Sequence, residues 1–337
     1  MKEKGNNKMQ DNLYDITIIG GGPVGMFAGF YAGLRNLKVQ LIESLPELGG
    51  QLNAIYPEKT ILDVAGFTGV TGKQLVEKLA DQLATMSVDV KAGQAVEGLE
   101  KDADSFLIKT NQSTTRSKTV LIATGGGSFE PRKLAVPEIE QFEKQNVVYS
   151  IQNLADFKGQ TVIVAGGGNS AVDNALLLES VAKQVYLIHR RSEFRGMEHM
   201  VDTLNQSTVK LVTPYLIKKI SAQDDQVLVT AKKMRTTDDT IDILADKILV
   251  NYGFISSNKV SKGWELDLDE SHHMFNVDTE MATSVPGVYA VGDSATYEGK
   301  DTLIATGFGE VPLAINQIAK RLYPDRHEPI HSTSIKR

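Results

Sequence analysis

The hydrophobic positions of the chain run through the same order twice. An apolar run rich in β-branched residues begins near residue 14 and another near residue 160, and each leads into glycines, a helical pattern and a second apolar run. Short apolar runs bounded by turn residues predict buried strands, and the longer periodic stretch between them predicts a helix. The segments "YDITIIGGGPVGMFAGFYAGLRNLKVQLIES" (14–44) and "QTVIVAGGGNSAVDNALLLESVAKQVYLIHRR" (160–191) therefore both predict strand, glycine turn, helix and strand.

The glycines after each first strand have the spacing of a dinucleotide-binding turn. Such a motif alone is a weak signal, but here each copy follows an apolar strand and opens a helix, which makes it specific. The first glycine permits the tight turn, the second lets a pyrophosphate approach the backbone, and the third small residue lets the helix pack on the strand. These positions are Gly20, Gly22 and Gly25 in the first copy, and Gly166, Gly168 and Ala171 in the second. The helix start offers N–H groups and a positive dipole end to the phosphates.

The two copies differ where the adenosine ribose of a bound dinucleotide would lie. The first copy ends with Glu43, whose carboxylate would accept hydrogen bonds from ribose hydroxyls and repel a 2′-phosphate. The second ends "VYLIHRR", and guanidinium groups there suit a 2′-phosphate. The alternative is that Arg190, Arg191 and Arg195 form a solvated basic stretch. We predict one FAD site and one NADPH site.

Two more apolar runs indicate how the copies are arranged. "SKTVLIATGGG" (117–127) predicts a strand ending in Ala-Thr-Gly, and "VPGVYAVGDSA" (285–295) predicts one ending in Gly-Asp before a long helical pattern. In flavoproteins with two dinucleotide sites, such strands mark where the chain leaves the FAD domain and returns to it. We predict an α/β protein with two Rossmann-like, three-layer domains: an FAD domain of 1–124 and 287–337, split by an inserted NADPH domain of 125–286.

The composition narrows the function classes. The length of 337 residues suits about two domains of roughly 150 residues each. The 41% of hydrophobic and 23% of charged residues fit a soluble globular protein. The absence of cysteine excludes disulfides, thiolate metal sites, a thiol nucleophile and a redox dithiol. A formal net charge of -6 argues against a general nucleic-acid binder.

The sequence also predicts a location and the absence of a metal centre. The polar first dozen residues predict a disordered leader rather than a signal peptide, and no apolar run approaches the roughly 20 residues of a membrane span. We therefore expect a cytoplasmic protein without membrane contact. The six histidines show no metal-ligand spacing, so we expect no metal site.

At this point the sequence resembles a family. The plan of two dinucleotide domains is similar to the low-molecular-weight thioredoxin reductases, but "YSIQ" (149–152) stands near the place where those enzymes carry Cys-x-x-Cys. The closer resemblance is to the thioredoxin-reductase-like ferredoxin–NADP reductases, from residue 14 to 334. It rests on "GGQLNAIYPEKTILDVAGF" (49–67), "ATGGGSFEPR" (123–132), "HRRSEFR" (189–195), "LIATGFGEVPLAIN" (303–316) and "IHSTS" (330–334).

The resemblance implies a set of cofactor contacts. For FAD it implies Glu43 at the ribose, Gln51 along the flavin, Tyr56 stacked on one ring face, Val96 at the adenine, Phe129 bordering the flavin, and further contacts from Asp293 and Thr333. It implies His331 on the other ring face, contributed by the partner subunit of a homodimer. The residues alone leave Tyr56 open as a core residue and His331 as an exposed one.

For NADP, the contacts would come from the second glycine turn and the basic stretch. They are Gly166, Gly168, Asn169, Ser170, His189, Arg190, Arg191 and Arg195. The family often has an aspartate at the position of Asn169, which here is expected to cap the helix and donate to phosphate or ribose.

The resemblance implies a ferredoxin–NADP reductase. Hydride would pass from NADPH to N5 of FAD, and single electrons would then pass to ferredoxin or flavodoxin, with no catalytic side-chain chemistry beyond flavin stacking. The alternatives are an NADPH-dependent flavin oxidase, a quinone or iron reductase, and a two-dinucleotide monooxygenase, although the fingerprint of that last class is missing. A non-enzymatic alternative is a flavin redox sensor.

Overall fold

The computed structural model describes residues 13–143, 145–257, 261 and 263–326, and for residues 128–130 and 255–257 it describes the backbone alone. The helices are α1 (Pro23–Leu34), α2 (Gln51–Ala54), α3 (Gly72–Ala84), α4 (Asn169–Glu179), α5 (Glu198–Gln206) and α6 (Ile304–Leu322). The strands are β1 (Leu13–Ile19), β2 (Val39–Glu43), β3 (Val88–Ala92), β4 (Val96–Asp102), β5 (Ser105–Thr110), β6 (Thr114–Ile122), β7 (Ser128–Pro131), β8 (Val147–Val148), β9 (Thr161–Gly166), β10 (Gln184–Ile188), β11 (Lys210–Val212), β12 (Tyr215–Gln223), β13 (Gln226–Lys233), β14 (Thr240–Ala245), β15 (Lys247–Asn251), β16 (Phe254–Ser257), β17 (Glu270–Ser271), β18 (Met274–Asn276), β19 (Val288–Ala290) and β20 (Ala295–Thr296).

The first of two compact units contains the first glycine turn. It comprises the described residues up to 54, 61–128 and from 256 onward. Its main sheet has the order β3-β2-β1-β6-β5-β4, and β19 pairs in parallel with the end of β6. Neighbouring residues of β1 face opposite layers, since Ile18 packs with α1, α3 and α6, whereas Ile19 packs in the core on the other face. The unit therefore has three layers.

The second unit contains the second glycine turn. It comprises the described part of 129–255 together with Ile55–Thr60. Its parallel sheet has the order β11-β10-β9-β15-β8. Val162 and Val164 of β9 pack against α4 and α5, while Ile163 and Ala165 pack against the antiparallel sheet β12-β13-β14. This unit also has three layers, and the predicted α/β class with two Rossmann-like domains is confirmed.

The limits of the two units differ from the predicted ranges. The chain passes between the units at residues 128–129 and 255–256, in β7 and β16, which pair with each other. The described residues of 256–286, a range predicted to belong to the inserted domain, are part of the first unit because Trp264 and Phe275 stack together in its core beside Phe106. Conversely, Ile55–Thr60 packs in the second unit although its neighbours in the sequence pack in the first.

Two absences hold for the described part of the chain. None of its helices has the length and apolar character needed to cross a membrane. It also contains no group of three or more His, Asp or Glu side chains arranged to hold a metal ion.

Candidate functional site

The first glycine turn joins β1 to α1 at the carboxyl edge of the first sheet. Gly20 has a φ of +109°, and a Cβ there would collide with the carbonyl of Ala123. A Cβ on Gly25 would collide with the Gly20 carbonyl, so the helix can approach the strand only with glycine at this position. A Cβ on Gly22, by contrast, would meet no described atom within 4 Å. The turn is therefore closed on the protein side and open at Gly22, where a pyrophosphate would approach.

Glu43 ends β2 beside this turn and is buried. Its Oε2 accepts a hydrogen bond from the backbone N–H of Gly21 at 2.7 Å, and its Oε1 accepts one from Leu45 N–H at 2.8 Å. The Ser44 hydroxyl also donates to Oε1, at 3.1 Å, so Oε2 is the oxygen that keeps a second lone pair for a further donor. The side chain is thus fixed against the glycine turn.

Asp293 lies in the 3-10 turn Gly292–Ser294, just after β19. Since β19 runs parallel to β6, this turn is at the same carboxyl edge as the first glycine turn. The Ser294 hydroxyl fixes the turn by hydrogen bonds to the carbonyls of Val291 (2.7 Å) and Ile122 (3.0 Å). Burial raises the pKa of Asp293; Lys300 opposes this shift and the Glu310 carboxylate adds to it.

The remaining predicted FAD contacts are placed unevenly. Gln51 begins α2, and its amide nitrogen lies 3.5 Å from where a Cβ of Gly125 would be. Val96 begins β4 and is buried. Phe129 lies in β7, but its side chain is outside the description. His331 and Thr333 lie outside the described residues.

The second glycine turn joins β9 to α4. A Cβ on Gly166 would lie 2.5 Å from the Asn251 carbonyl oxygen and 2.9 Å from the Ala171 Cβ, whereas a Cβ on Gly168 would meet no described atom within 4 Å. As at Gly20 and Gly22 of the first turn, the first glycine of the motif is closed and the second is open. The prediction that Asn169 caps the helix is wrong: Gly168 is the N-cap, no side chain caps this helix, and the Asn169 side-chain oxygen accepts from Met197 N–H at 2.9 Å.

The basic stretch after β10 folds back onto this second turn. The backbone N–H of Arg195 donates to the Gly167 carbonyl at 2.7 Å, and the His189 ring packs so closely on Gly167 that a Cβ there would collide with it. Arg190, Arg191 and Arg195 are exposed. Burial lowers the pKa of His189, and the three neighbouring arginines lower it further. The loop thus carries three exposed arginines whose charges act on His189, and the His189 ring packs on the turn.

Tyr56 does not lie in the unit that holds the first glycine turn. Its segment packs in the second unit, where the centroids of the Tyr56 and Phe254 rings lie 6.2 Å apart in an edge-on arrangement. The Tyr56 hydroxyl is hydrogen-bonded to the side chain of Ser170. Lys59 of the same segment forms an ion pair with Asp173 of α4 at 2.9 Å. The predicted flavin-stacking residue therefore contacts a residue predicted to bind NADP.

Both dinucleotides fit the residues present. Gly22 and Gly168 each leave open space at a helix start, which is where a pyrophosphate needs it. Buried Glu43 suits the ribose of FAD, and the exposed arginines suit a 2′-phosphate. In addition, Nε2 of His189 is buried without a hydrogen-bond partner among the described residues, as expected of an atom beside a ligand site.

Comparison with known proteins agrees with this geometry. The family model "Pyridine nucleotide-disulphide oxidoreductase" matches residues 14–319. A protein named ferredoxin–NADP reductase from Limosilactobacillus fermentum is 53% identical over 327 residues, which is 96% of this chain and 99% of that protein. The protein named ferredoxin–NADP reductase 2 from Latilactobacillus sakei is 50% identical over 326 residues, which is 96% of this chain and 98% of that one. The chain belongs to the thioredoxin-reductase-like ferredoxin–NADP reductases.

Solved structures of thioredoxin reductases have a fold similar to that of this chain. Thioredoxin reductase of T. acidophilum has a TM-score of 0.79 at 26% identity, covering 92% of this chain and 99% of its own. The Lactococcus lactis thioredoxin reductase in its FR conformation has a TM-score of 0.77 at 27% identity, covering 91% of this chain and 98% of its own. This chain nevertheless contains no cysteine, so it lacks the sulfur for a dithiol relay.

Three polar residues near Asp293 were not predicted from the sequence. Tyr297, Lys300 and Glu310 form one hydrogen-bonded group behind the Gly292–Ser294 turn. Glu310 could have been found from the helical pattern, because it is a carboxylate on the apolar face of α6 between buried Gly307 and Ala314. Its two partners could not be assigned, because they come from the irregular loop before the helix.

Proposed function

We propose that this chain is a flavoprotein ferredoxin–NADP reductase that transfers electrons between NADPH and ferredoxin or flavodoxin. The observation that carries the proposal is the opposite charge beside two otherwise similar glycine turns. A buried carboxylate, Glu43, stands at the first, and three exposed arginines stand at the second. Relatives that carry this name are 50–53% identical over nearly the whole chain.

In this proposal the first unit holds FAD and the second holds NADPH. The open faces at Gly22 and Gly168 accept the two pyrophosphates, and Glu43 accepts hydrogen bonds from the FAD ribose. Val96, Gln51 and Asp293 contact the rest of the FAD. On the second unit, Asn169 and Ser170 bind phosphate or ribose, and the arginines with His189 bind the 2′-phosphate.

The chain's own residues bind and orient; they do not supply a nucleophile. The chemistry that bound FAD supplies is exchange between a two-electron hydride donor and one-electron acceptors. Tyr56 would stack on one face of the flavin ring and His331, from the partner subunit of a homodimer, on the other. We further propose a cytoplasmic location. Sedimentation of the purified protein tests the homodimer, and a monomeric mass at micromolar concentration would contradict it.

The deciding experiment is a cytochrome c reduction assay with NADPH or NADH, with and without added ferredoxin and flavodoxin. We expect reduction by NADPH that depends on the added carrier protein, together with a bound yellow flavin that NADPH bleaches. Equal rates with oxygen or a quinone in place of the carrier would favour a flavin oxidase or quinone reductase. Stable FAD that NADPH does not bleach would favour a redox sensor.

A further inference from the structure

A buried ionic group lies directly behind the turn that carries Asp293. The carboxylate of Glu310, in the second turn of α6, forms an ion pair with Lys300, and their side chains are only 3% and 5% exposed. The Tyr297 hydroxyl donates to Oε1 of the same carboxylate at 2.8 Å. A complete ion pair with a supporting tyrosine is therefore enclosed at this carboxyl edge of the first sheet.

This group connects to Asp293 through the backbone. The N–H of Gly292 donates to Oε2 of Glu310 at 2.7 Å. Gly292 has a φ of +66°, and a Cβ on Gly307 of α6 would lie 3.3 Å from its Cα, so helix and turn touch closely. Glu310 thus fixes the residue immediately before Asp293, and both members of the ion pair interact electrostatically with the Asp293 carboxyl.

Stability is a weak explanation for such a pair. Transfer of two charges into the interior costs several kcal/mol per ion, and buried ion pairs are often replaceable by apolar residues without loss. The same unit contains a second group of this kind that is more exposed. Asp15 accepts hydrogen bonds from Lys118 (2.8 Å) and Tyr323 (2.9 Å), which is again a carboxylate with a lysine and a tyrosine, but that lysine is 37% exposed. The enclosed version occurs at the edge where a cofactor is expected.

We propose that Glu310 is a positioning residue for FAD, and that Lys300 and Glu310 together set the potential of the bound flavin. The inference rests on the proposed FAD site in the first unit. The carboxylate holds the Gly292–Ser294 turn so that Asp293 faces the cofactor. The ammonium and the carboxylate balance each other, and reduction adds negative charge to a flavin, so loss of either partner alone changes the field that the reduced form experiences.

Removal of either charge alone should shift the redox potential of the bound flavin, and the two shifts should have opposite signs. Glu310→Gln keeps an acceptor for Gly292 and leaves the ammonium unbalanced, so it favours the reduced flavin. Lys300→Met leaves the carboxylate unbalanced and favours the oxidised flavin. In each variant we expect the ratio of the affinity for reduced flavin to the affinity for oxidised flavin to change at least tenfold. This change corresponds to a shift in potential of about 30 mV for a two-electron couple. The double variant, which removes both charges, should return to within threefold of wild type.

A second readout separates positioning from charge. Glu310→Ala removes the acceptor for Gly292 as well as the charge, so the dissociation constant of FAD, measured by flavin fluorescence on dilution, should rise at least tenfold. In Glu310→Gln the same constant should rise less than threefold. Equal dissociation constants for Glu310→Ala and the wild type would overturn the positioning role.

The potential measurements are made on purified holoenzyme at one fixed pH. Asp15→Asn is the matched control, because that carboxylate lies near the start of β1, about 17 Å from the glycine turn at about 3.3 Å per residue. It should leave both the potential and the FAD affinity unchanged. Shifts of the same sign in Glu310→Gln and Lys300→Met, or a shift as large in Asp15→Asn, would overturn the proposal.

Two further arms complete the test. If removal of a single charge prevents folding, Tyr297→Phe keeps both charges and removes one donor to Glu310; it should lower the potential in the same direction as Lys300→Met, and an unchanged potential would count against the proposal. The wild-type flavin content is measured first. A folded wild-type chain that binds no FAD would refute the proposed function itself, a result distinct from normal FAD binding with unshifted variants.

Discussion

Single charged residues distinguish the two dinucleotide turns, which otherwise have nearly the same backbone. Glu43 is buried and held by two backbone N–H groups, so its carboxylate has one orientation. Arg190 and Arg191 are exposed, and the loop that carries them is tied to the second turn through Arg195 N–H. Selectivity for NADPH over NADH is therefore expected to depend on guanidinium groups alone, without a change in the fold.

The first prediction concerns those guanidinium groups. Replacement of both Arg190 and Arg191 by alanine should raise the KM for NADPH at least tenfold, because a charge-assisted hydrogen bond is worth roughly 1.5–3 kcal/mol. The KM for NADH should change little. Steady-state kinetics with both nucleotides provide the measurement, and Lys219→Ala removes an exposed cation of the same unit as a control. Equal effects on NADPH and NADH would mean that the arginines serve another role.

The second prediction concerns the pH dependence of stability at His189. Burial and the nearby arginines lower its pKa, so the folded chain favours the neutral ring while the unfolded chain takes up a proton near pH 6.5. This contribution to the free energy of unfolding is fully present above about pH 6.5 and is lost as the pH falls below it. Urea denaturation at pH 7.5 and 5.5 should show a larger loss for wild type than for His189→Asn. An identical loss in both proteins would refute it.

At the scale of elements, each strand–turn–helix segment forms a cradle in which the first glycine of the motif is closed and the second is open. The closed positions, Gly20 and Gly166, would collide with neighbouring backbone if they carried a Cβ. The open positions, Gly22 and Gly168, have extended backbone that any residue adopts, with φ of -69° and -95°. A methyl group is therefore compatible with the folded chain at the open positions and would occupy only the space meant for phosphate.

The third prediction uses the open glycines as a matched pair. Gly22→Ala should weaken FAD binding at least tenfold, or about 1.4 kcal/mol, while leaving NADP⁺ binding to the second unit in place. Gly168→Ala should do the reverse, with a normal flavin content and weakened NADP⁺ binding. Flavin absorbance and calorimetric titration with NADP⁺ measure the two effects. Each variant controls for the other, and a loss of both ligands in either one would contradict the assignment.

At the scale of the whole molecule, the chain divides into two compact units with separate cores, and each unit contains one glycine turn. A ligand that binds a folded unit stabilises that unit by mass action, by about 2.7 kcal/mol at one hundred times its dissociation constant. The proposed assignment of FAD and NADPH therefore predicts where each ligand protects the backbone.

The fourth prediction follows from this division. Hydrogen exchange of the holoenzyme should slow on addition of NADP⁺ in peptides from 161–195, and FAD should protect peptides from 13–54 and 285–322 of the first unit. Mass spectrometry of the apoprotein, the holoenzyme and the holoenzyme with NADP⁺ makes the comparison. Protection by both ligands within a single unit would contradict two separate sites.

The sequence by itself determined the features that depend on neighbours along the chain. Apolar runs, glycine spacing and the terminal charges at Glu43 and Arg190 lie within single strand–turn–helix segments, so local pattern was enough to predict two Rossmann-like units and the two cofactors. The resemblance added the electron acceptor. The predicted capping role of Asn169 was wrong because Gly168 is the N-cap and Asn169 is the first residue of the helix, where its side chain accepts from the distant backbone N–H of Met197.

Only the tertiary structure decided the features that depend on distant contacts. The described residues of 256–286 belong to the first unit through the core packing of Trp264 and Phe275, and Ile55–Thr60 belongs to the second through Tyr56 and Lys59. The enclosed group of Tyr297, Lys300 and Glu310 likewise exists only because a helix and an irregular loop meet. The physical reason is common to all three: burial and pairing join side chains far apart along the chain, and a local pattern does not contain that information.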